Sequence, residues 1–228
     1  MERRDGDIWA NPDVEEIVVT VGGAHVTVGN LQTYAGTEVG NDEVLNAFLH
    51  LLNTGEYAAS RRTHILKSHF NTKLKNEGYE AVRRWTRAAD ETRARPCIAE
   101  LDRLIVPIHH TEGIKHWALM EVHSELTAMR CLDSCYRDKT DVVKTLAKYV
   151  MLERARSAGQ PVPGTWEPAL HIVQVPLQDL YKNACGPRTA VSAMYLMQQD
   201  AKKLDAAADT EVMSPQHEQS MIIFGELG

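Results

Sequence analysis

Two β-branched runs, IVVTV and AHVTV, flank Gly22-Gly23, and a two-residue glycine turn between such runs predicts a hairpin. In NDEVLNAFLHLL, the apolar residues Val44, Leu45, Phe48, Leu49 and Leu52 recur at helical spacing, with Asn41 or Asp42 as the N-cap. The segment NTKLKNEGYEAVRRWTR is helical in pattern but interrupted by Gly78, which predicts two short helices. From Leu104 the period becomes that of strands, through LIVPIHH, IKHWALMEVH and LTAMRCLD. Residues 141–152 return to helix, 154–168 read as a Pro/Gly loop and HIVQVPL as another strand. A long helix is predicted from Cys185 through Val191, Met194, Tyr195 and Met197, and Ser214-Pro215 marks the start of a last one. Helices flanking an antiparallel sheet give an α+β architecture, and the 228 residues suffice for a single domain spanning 1–228.

Charge changes this picture in one place. The net charge of −6 argues against a general nucleic-acid binder, yet residues 61–95 carry ten Lys and Arg against four Asp and Glu. That local +6 leaves −12 for the rest of the chain, and the stretch reads as a solvated helix face or as a docking surface for an acidic partner. No apolar run approaches the roughly 18 residues of a membrane helix. The opening MERRDGDIWANPD has acids where a secretory signal is apolar, so the expected location is intracellular, cytoplasmic or nuclear.

Four cysteines, Cys97, Cys131, Cys135 and Cys185, lack disulfide-framework spacing. A zinc site on Cys131 and Cys135 would need a second ligand pair. The neighbouring His109 and His110 point to opposite faces of a strand, so no metal and no cofactor are assigned.

The chemistry concentrates in two places. In VPLQDLYKNACGPRTAVSAMYLM, a strand and a polar loop deliver Cys185 to a helix start, where unpaired N–H groups and the dipole favour thiolate. Gly186 leaves room for a substrate backbone, and Pro187 is tolerated in a first helical turn. Taken alone, Cys185 reads first as a small buried apolar residue. The second place is the hairpin EGIKHWALMEVHSELTAMRCLDS, which puts His116 at the start of one strand and Asp133 at the end of the next. A thiol nucleophile needs a base, and the base needs an orienting partner, so His116 and Asp133 fit those roles. Gln178 ends the strand before the cysteine loop and offers an amide to a developing oxyanion. Trp117 reads as core or as a roof over a substrate channel. His25, His64, His69, His123, His171 and His217 read as surface or half-buried residues without an acidic partner.

These residues resemble the ubiquitin-like-protein-specific proteases, the SUMO/sentrin (ULP) family of papain-like cysteine peptidases, over residues 26–198. The likeness rests on VTVGNLQTYAGTEVGNDEVLNAFLHLL, on HFNTKLKNEGYEAVRRWTR, on DRLIVPIHHTEGIKHWALMEV, on LDS and on VPLQDLYKNACG. The order His, Asp, Gln, Cys and the 17-residue step from His116 to Asp133 agree as well. The resemblance implies a papain-like fold of the adenain/ULP type with a mixed or antiparallel central sheet. It also implies hydrolysis after the C-terminal Gly-Gly of a ubiquitin-like modifier, SUMO first, with the modifier and its conjugates as partners. Carried over by position, Cys185 is the nucleophile, His116 the base, Asp133 its partner and Gln178 the oxyanion donor. Trp117, Gly186, Asn41 and Asp42 become substrate-binding candidates. Three departures mark a divergent member of fungal, viral or effector type, acting in a host cell in the last two cases. Val39 replaces the family's tunnel Trp, Ala184 replaces Asp, and Gln178 stands seven residues before the cysteine where six is usual. The alternatives are a deneddylase or deubiquitinase of the same fold, an effector-type acetyltransferase with the same triad, or a non-enzymatic modifier binder.

Overall fold

A computed structural model describes residues 13–35, 40–55, 63–85, 98, 101–111, 115–123, 128–135, 138–159, 164, 167–173, 175 and 184–198. The predicted hairpin is present as β1 (Ile17–Val21) and β2 (Ala24–Thr27), antiparallel and separate from the main sheet. Gly22 and Gly23 both have positive φ, 59° and 82°, the twist that a two-residue hairpin turn requires. A short helix α1 (Val28–Ala35) follows directly, then α2 (Asp42–Thr54). Asn41, not Asp42, is the N-cap of α2: its side chain accepts from the Glu43 N–H at 2.7 Å.

The main sheet has five strands in the order β3-β4-β5-β6-β7. They are β3 (Thr63–Ile65), β4 (Arg103–His110), β5 (His116–His123), β6 (Ala128–Leu132) and β7 (Ala169–Val173). The sheet is mixed. The pairs β4–β5 and β5–β6 are antiparallel, but each edge strand returns in parallel after a helical crossover. Between β3 and β4 come α3 (Phe70–Glu77) and α4 (Tyr79–Val82), broken at Gly78 with φ 80° as its pattern predicts. The strand β3 went unpredicted because three residues are too few for a period to register.

The helix α5 (Thr140–Ala158) crosses from β6 to β7 and runs six residues beyond its expected end, into the segment read as loop. Burial explains the extension. Glu153 is buried, accepting from the Tyr79 hydroxyl at 2.6 Å and from Arg156 at 2.6 Å, and Gly159 closes the helix in the left-handed conformation. The strand β7 begins at Ala169, ahead of the predicted HIVQVPL and ending within it. The final helix α6 (Cys185–Gln198) starts at the cysteine. The predicted helix at Ser214-Pro215 lies outside the described residues.

The strand β5 is buried along its whole length and separates two cores. Ala118, Met120 and Val122 join Phe70, Leu74, Leu146, Tyr149 and Val150 from α3 and α5. Trp117 and Leu119 join Leu45, Leu49, Val191 and Leu196 from α2 and α6. Alternation along one strand therefore binds different helices to its two faces, and α6 carries Cys185 to the sheet. Among the described residues no helix is long and apolar enough to cross a membrane.

Candidate functional site

His116 is the first residue of β5, and Asp133 directly follows the last residue of β6. The hairpin brings them together as the sequence predicts: His116 Nε2 donates to Asp133 Oδ1 at 2.7 Å, and both side chains are buried. Asp133 Oδ1 also accepts the backbone N–H of Cys135 at 2.8 Å. Its other oxygen is bound by the ammonium group of Lys139, which is itself fully buried. Lys139 also donates to His110 Nε2 at 3.0 Å. The register of β4 with β5 sets His110 opposite His116, and their rings stack at 6.3 Å. A line of polar contacts thus runs from His110 through Lys139 and Asp133 to His116.

Burial alone would raise the Asp133 carboxyl. Hydrogen bonds from His116, Lys139 and the Cys135 N–H outweigh it and hold the group well below the usual carboxylate range. Asp133 is therefore held in its anionic form. Burial pushes the His116 imidazole down, but hydrogen bonds with Asp133 and Cys185, and their negative charge, leave it raised. Cys185 is buried at the first residue of a 14-residue helix, beside this imidazole. With Nε2 given to Asp133, Nδ1 is the nitrogen turned to sulfur. The arrangement permits proton transfer from a thiol to an imidazole whose cationic form a fixed carboxylate stabilises.

A second sulfur shares the imidazole. Cys135 Sγ lies 3.5 Å from His116 Nδ1. Its position follows from register: Leu119 pairs with Leu132, so three further steps along each chain set Cys135 across from His116. Counting that register is the signal by which the sequence could have disclosed it. Lys139 had no such signal, because it lies just before a helix and outside any strand register, whereas His110 is set opposite His116 by the β4–β5 register.

The remaining candidates fall as follows. Trp117 is core, stacked on His109 at 4.1 Å, and its Nε1–H donates to the Gly40 carbonyl at 3.1 Å. Asn41 is engaged as a helix cap, and its backbone carbonyl accepts from the Tyr34 hydroxyl at 3.2 Å. Asp42 is the first residue of α2, and its charge acts on Tyr34 and His109. Gly186 is packed closely: a Cβ there would sit 3.3 Å from the Tyr34 hydroxyl and 3.4 Å from Gly40 Cα. Gly40 is tighter still, since its Cβ would meet the Tyr34 ring at 2.9 Å. Burial, then the negative charge of Cys185 and Asp42, raises the Tyr34 phenol above its ordinary value. Tyr34 is thus a neighbour of the cysteine that the sequence did not single out. Gln178 and Val39 lie outside the described residues. His123 departs from expectation: it is buried and pairs with Glu121 at 3.0 Å. A cleft of about 420 Å³ lined by Gly22, Asn46, His50, His64 and Trp85 includes none of His116, Asp133 and Cys185.

A buried thiol at a helix start, an imidazole and an orienting carboxylate on a mixed sheet describe a thiol-hydrolase arrangement. Residues 39–203 match the Ulp1 protease family, C-terminal catalytic domain, and the chain belongs to that family. Human sentrin-specific protease 2 is 27% identical over 154 residues, covering 67% of this chain and 24% of the relative. The ubiquitin-like-specific protease ESD4 of Arabidopsis thaliana is 28% identical over 134 residues, covering 56% of this chain and 26% of the relative. The chain thus spans about a quarter of the length of these curated relatives. The fold is similar to the C-terminal Ulp1 protease domain solved in complex with Smt3, the yeast ortholog of SUMO. That likeness has a TM-score of 0.67 and 22% identity, over 98% of this chain and 95% of the other. The Ulp1-like SUMO protease catalytic domain of Chaetomium thermophilum gives 0.66 at 19% identity, over 98% and 84%. These likenesses establish the fold as the Ulp1 type.

Proposed function

We propose that this chain is the catalytic domain, as a single unit, of a thiol isopeptidase and endopeptidase. It hydrolyses the bond after the C-terminal Gly-Gly of a ubiquitin-like modifier, with SUMO as the first substrate. The observation that carries the reading is His116 held by Asp133 on one side and meeting Cys185 at the start of α6 on the other. Family membership supports it, as do the relatives named for sentrin and ubiquitin-like modifiers.

In this mechanism Cys185, not Cys135, is the nucleophile. Both thiols neighbour His116, but only Cys185 is the first residue of a long helix, where backbone N–H groups can meet a developing oxyanion. The Cys185 proton passes to His116, and the resulting imidazolium is stabilised by Asp133. The thiolate attacks the carbonyl of the last glycine. The Cys185 N–H and the Gln178 amide receive the oxyanion, His116 protonates the leaving amine, and water then cleaves the thioester. Lys139 keeps Asp133 ionised and fixed throughout. Tyr34, Gly40 and Gly186 pack closely on one another beside the start of α6. Substrates of this kind place the protein in the cytoplasm or nucleus of a cell.

Turnover of reporters linked through SUMO, NEDD8 and ubiquitin tests the reading. Cleavage of the SUMO reporter is expected; preference for NEDD8 or ubiquitin moves the substrate within the same chemistry. No cleavage of any of the three ends the proposal.

A further inference from the structure

The proposed mechanism leaves Cys135 without a task. Yet Cys135 Sγ lies 3.5 Å from His116 Nδ1, the nitrogen that Asp133 leaves open. We propose that Cys135 is a second base-activated thiol and a covalent modification site: it takes low-molecular-weight disulfides of the glutathione kind, and the adduct encumbers His116. The effect on turnover rests on the proposed function; the reactivity of Cys135 does not.

Three observations carry it. The first is the base. Asp133 holds the imidazole at Nε2, at 2.7 Å, so Nδ1 is the nitrogen placed to accept the Cys135 proton. The carboxylate then stabilises the imidazolium that forms. One donor atom from each of Cys135, His116 and Asp133 lies within 4.8 Å of the other two. The second is anchorage. The Cys135 N–H donates to Asp133 Oδ1 at 2.8 Å, so the residue that orients the base also fixes the backbone of the thiol. The third is access. Of the three described cysteines, Cys131 and Cys185 are buried, and Cys135 alone is half-buried. Burial pushes the Cys131 thiol up to about 12, which leaves it inert close to the same network.

The step balances with the disulfide as its only co-reactant. The Cys135 S–H proton passes to His116 Nδ1, and the thiolate attacks one sulfur of the disulfide. The disulfide's own S–S bond breaks as the bond to Cys135 forms. The departing thiolate takes the proton back from His116 and leaves as a thiol. Excess thiol drives the same exchange in reverse and restores Cys135. While it lasts, the adduct sets a bulky group beside the imidazole on which Cys185 also acts.

The test is labelling of the whole chain by glutathione disulfide, with each cysteine's peptide followed by mass spectrometry. Cys185→Ala is used first, so that the proposed nucleophile does not compete. About 3% of an unassisted thiol is ionised at pH 7, and a more acidic thiol gives a weaker nucleophile, so activation should be worth about 10-fold. Cys135 is therefore expected to react about 10-fold faster in Cys185→Ala than after His116→Gln is added. The gap should close above about pH 9, where a thiol ionises unaided. Cys131, being buried, should stay unlabelled and so report that each variant is folded. If His116→Gln exposes Cys131, the pH profile of Cys185→Ala alone decides. A rate climbing tenfold per pH unit from about 6 to 8 is that of an unassisted thiol. That climb, or equal rates at pH 7 with and without the imidazole, overturns the site. In the parent, reporter turnover should fall in step with Cys135 labelling while Cys185 is unlabelled, and excess thiol should restore it. Full turnover with Cys135 labelled overturns the encumbrance of His116. A His116-dependent reaction at Cys135 in a chain that cleaves no modifier would leave the site standing and remove the peptidase reading.

Discussion

Strand β5 holds a buried ionic network at each end, and the two ends have different uses. At its start, His116 joins Asp133, Lys139 and His110. Near its finish, Glu121 meets Arg103 at 3.3 Å, His123 at 3.0 Å and Arg130 at 3.2 Å, all buried. The contacts of Glu121 Oε2 rest on charge more than on hydrogen-bond angles. Both networks pair a carboxylate with cations and an imidazole, and both shift a carboxyl downward against the pull of burial. The second shifted carboxyl has no thiol beside it among the described residues. A displaced titration thus marks a site only when a group able to make or break a bond stands next to it. At the His116 end, the helix start of α6 brings that group.

The largest effect expected follows from this difference. Cys185→Ala should lower modifier-reporter turnover by about 10⁵-fold or more, to background, because the proposed nucleophile is gone. Cys135→Ala must retain turnover; loss in that variant, with Cys185→Ala still active, would exchange the roles of the two thiols. Asp133→Asn comes next, at about 10³-fold in kcat, through the wrong imidazole tautomer. It also leaves Lys139 as a buried cation without its anion, so a lowered Tm should accompany the rate loss. A rate within threefold of the parent would show that the carboxylate does not orient His116.

The hairpin carrying His116 and Asp133 was legible because both ends of the search are local. A strand period and a short turn suffice to bring residues 17 apart into contact. Cys185 was legible because a helix start has its own grammar. The Glu121 network was not: its members come from three strands, and His123 looked like a surface residue because it borders the Ser-Glu turn, although Glu121 stands two residues away on the same face. Lys139 was not singled out from the sequence, yet it is buried. Long side chains reach partners that periodicity does not encode, and the tight packing of Tyr34 on Gly40 and Gly186 depends on tertiary closure in the same way. The extension of α5 to Ala158 belongs here too, since Glu153 is helical because of what it binds across the core.

The Glu121 end should respond in stability and not in chemistry. Glu121→Gln leaves Arg103 and Arg130 facing a neutral group in the sheet, and about 3–5 kcal/mol should be lost, measured by urea unfolding. The kcat of the folded fraction should stay within about twofold. The pH dependence has a definite sign. A carboxyl lowered in the folded state contributes stability in full above its unfolded value, roughly 4.3, and that contribution disappears as pH falls through the folded value. The parent should therefore lose stability more steeply than Glu121→Gln on acidification below about pH 4.5, and the two curves should converge. Parallel curves would remove Glu121 from the acid response.

The smallest effect separates a cap from a substrate contact at the His116 end. Asn41 caps α2 and is tied through its carbonyl to Tyr34, next to the glycine whose carbonyl receives Trp117 from β5. Asn41→Ala should cost about 1 kcal/mol, a Tm decrease of roughly 2–4 °C for a chain of this size. Asn41→Asp caps as well as asparagine and should restore most of the loss. If capping is the whole role, KM for the modifier reporter follows stability: nearly unchanged in Asn41→Asp, and in Asn41→Ala altered only as the folded fraction changes. A KM raised tenfold in both variants, with Tm preserved in Asn41→Asp, would instead make Asn41 a substrate contact. It would also extend the functional end of β5 outward to the start of α2.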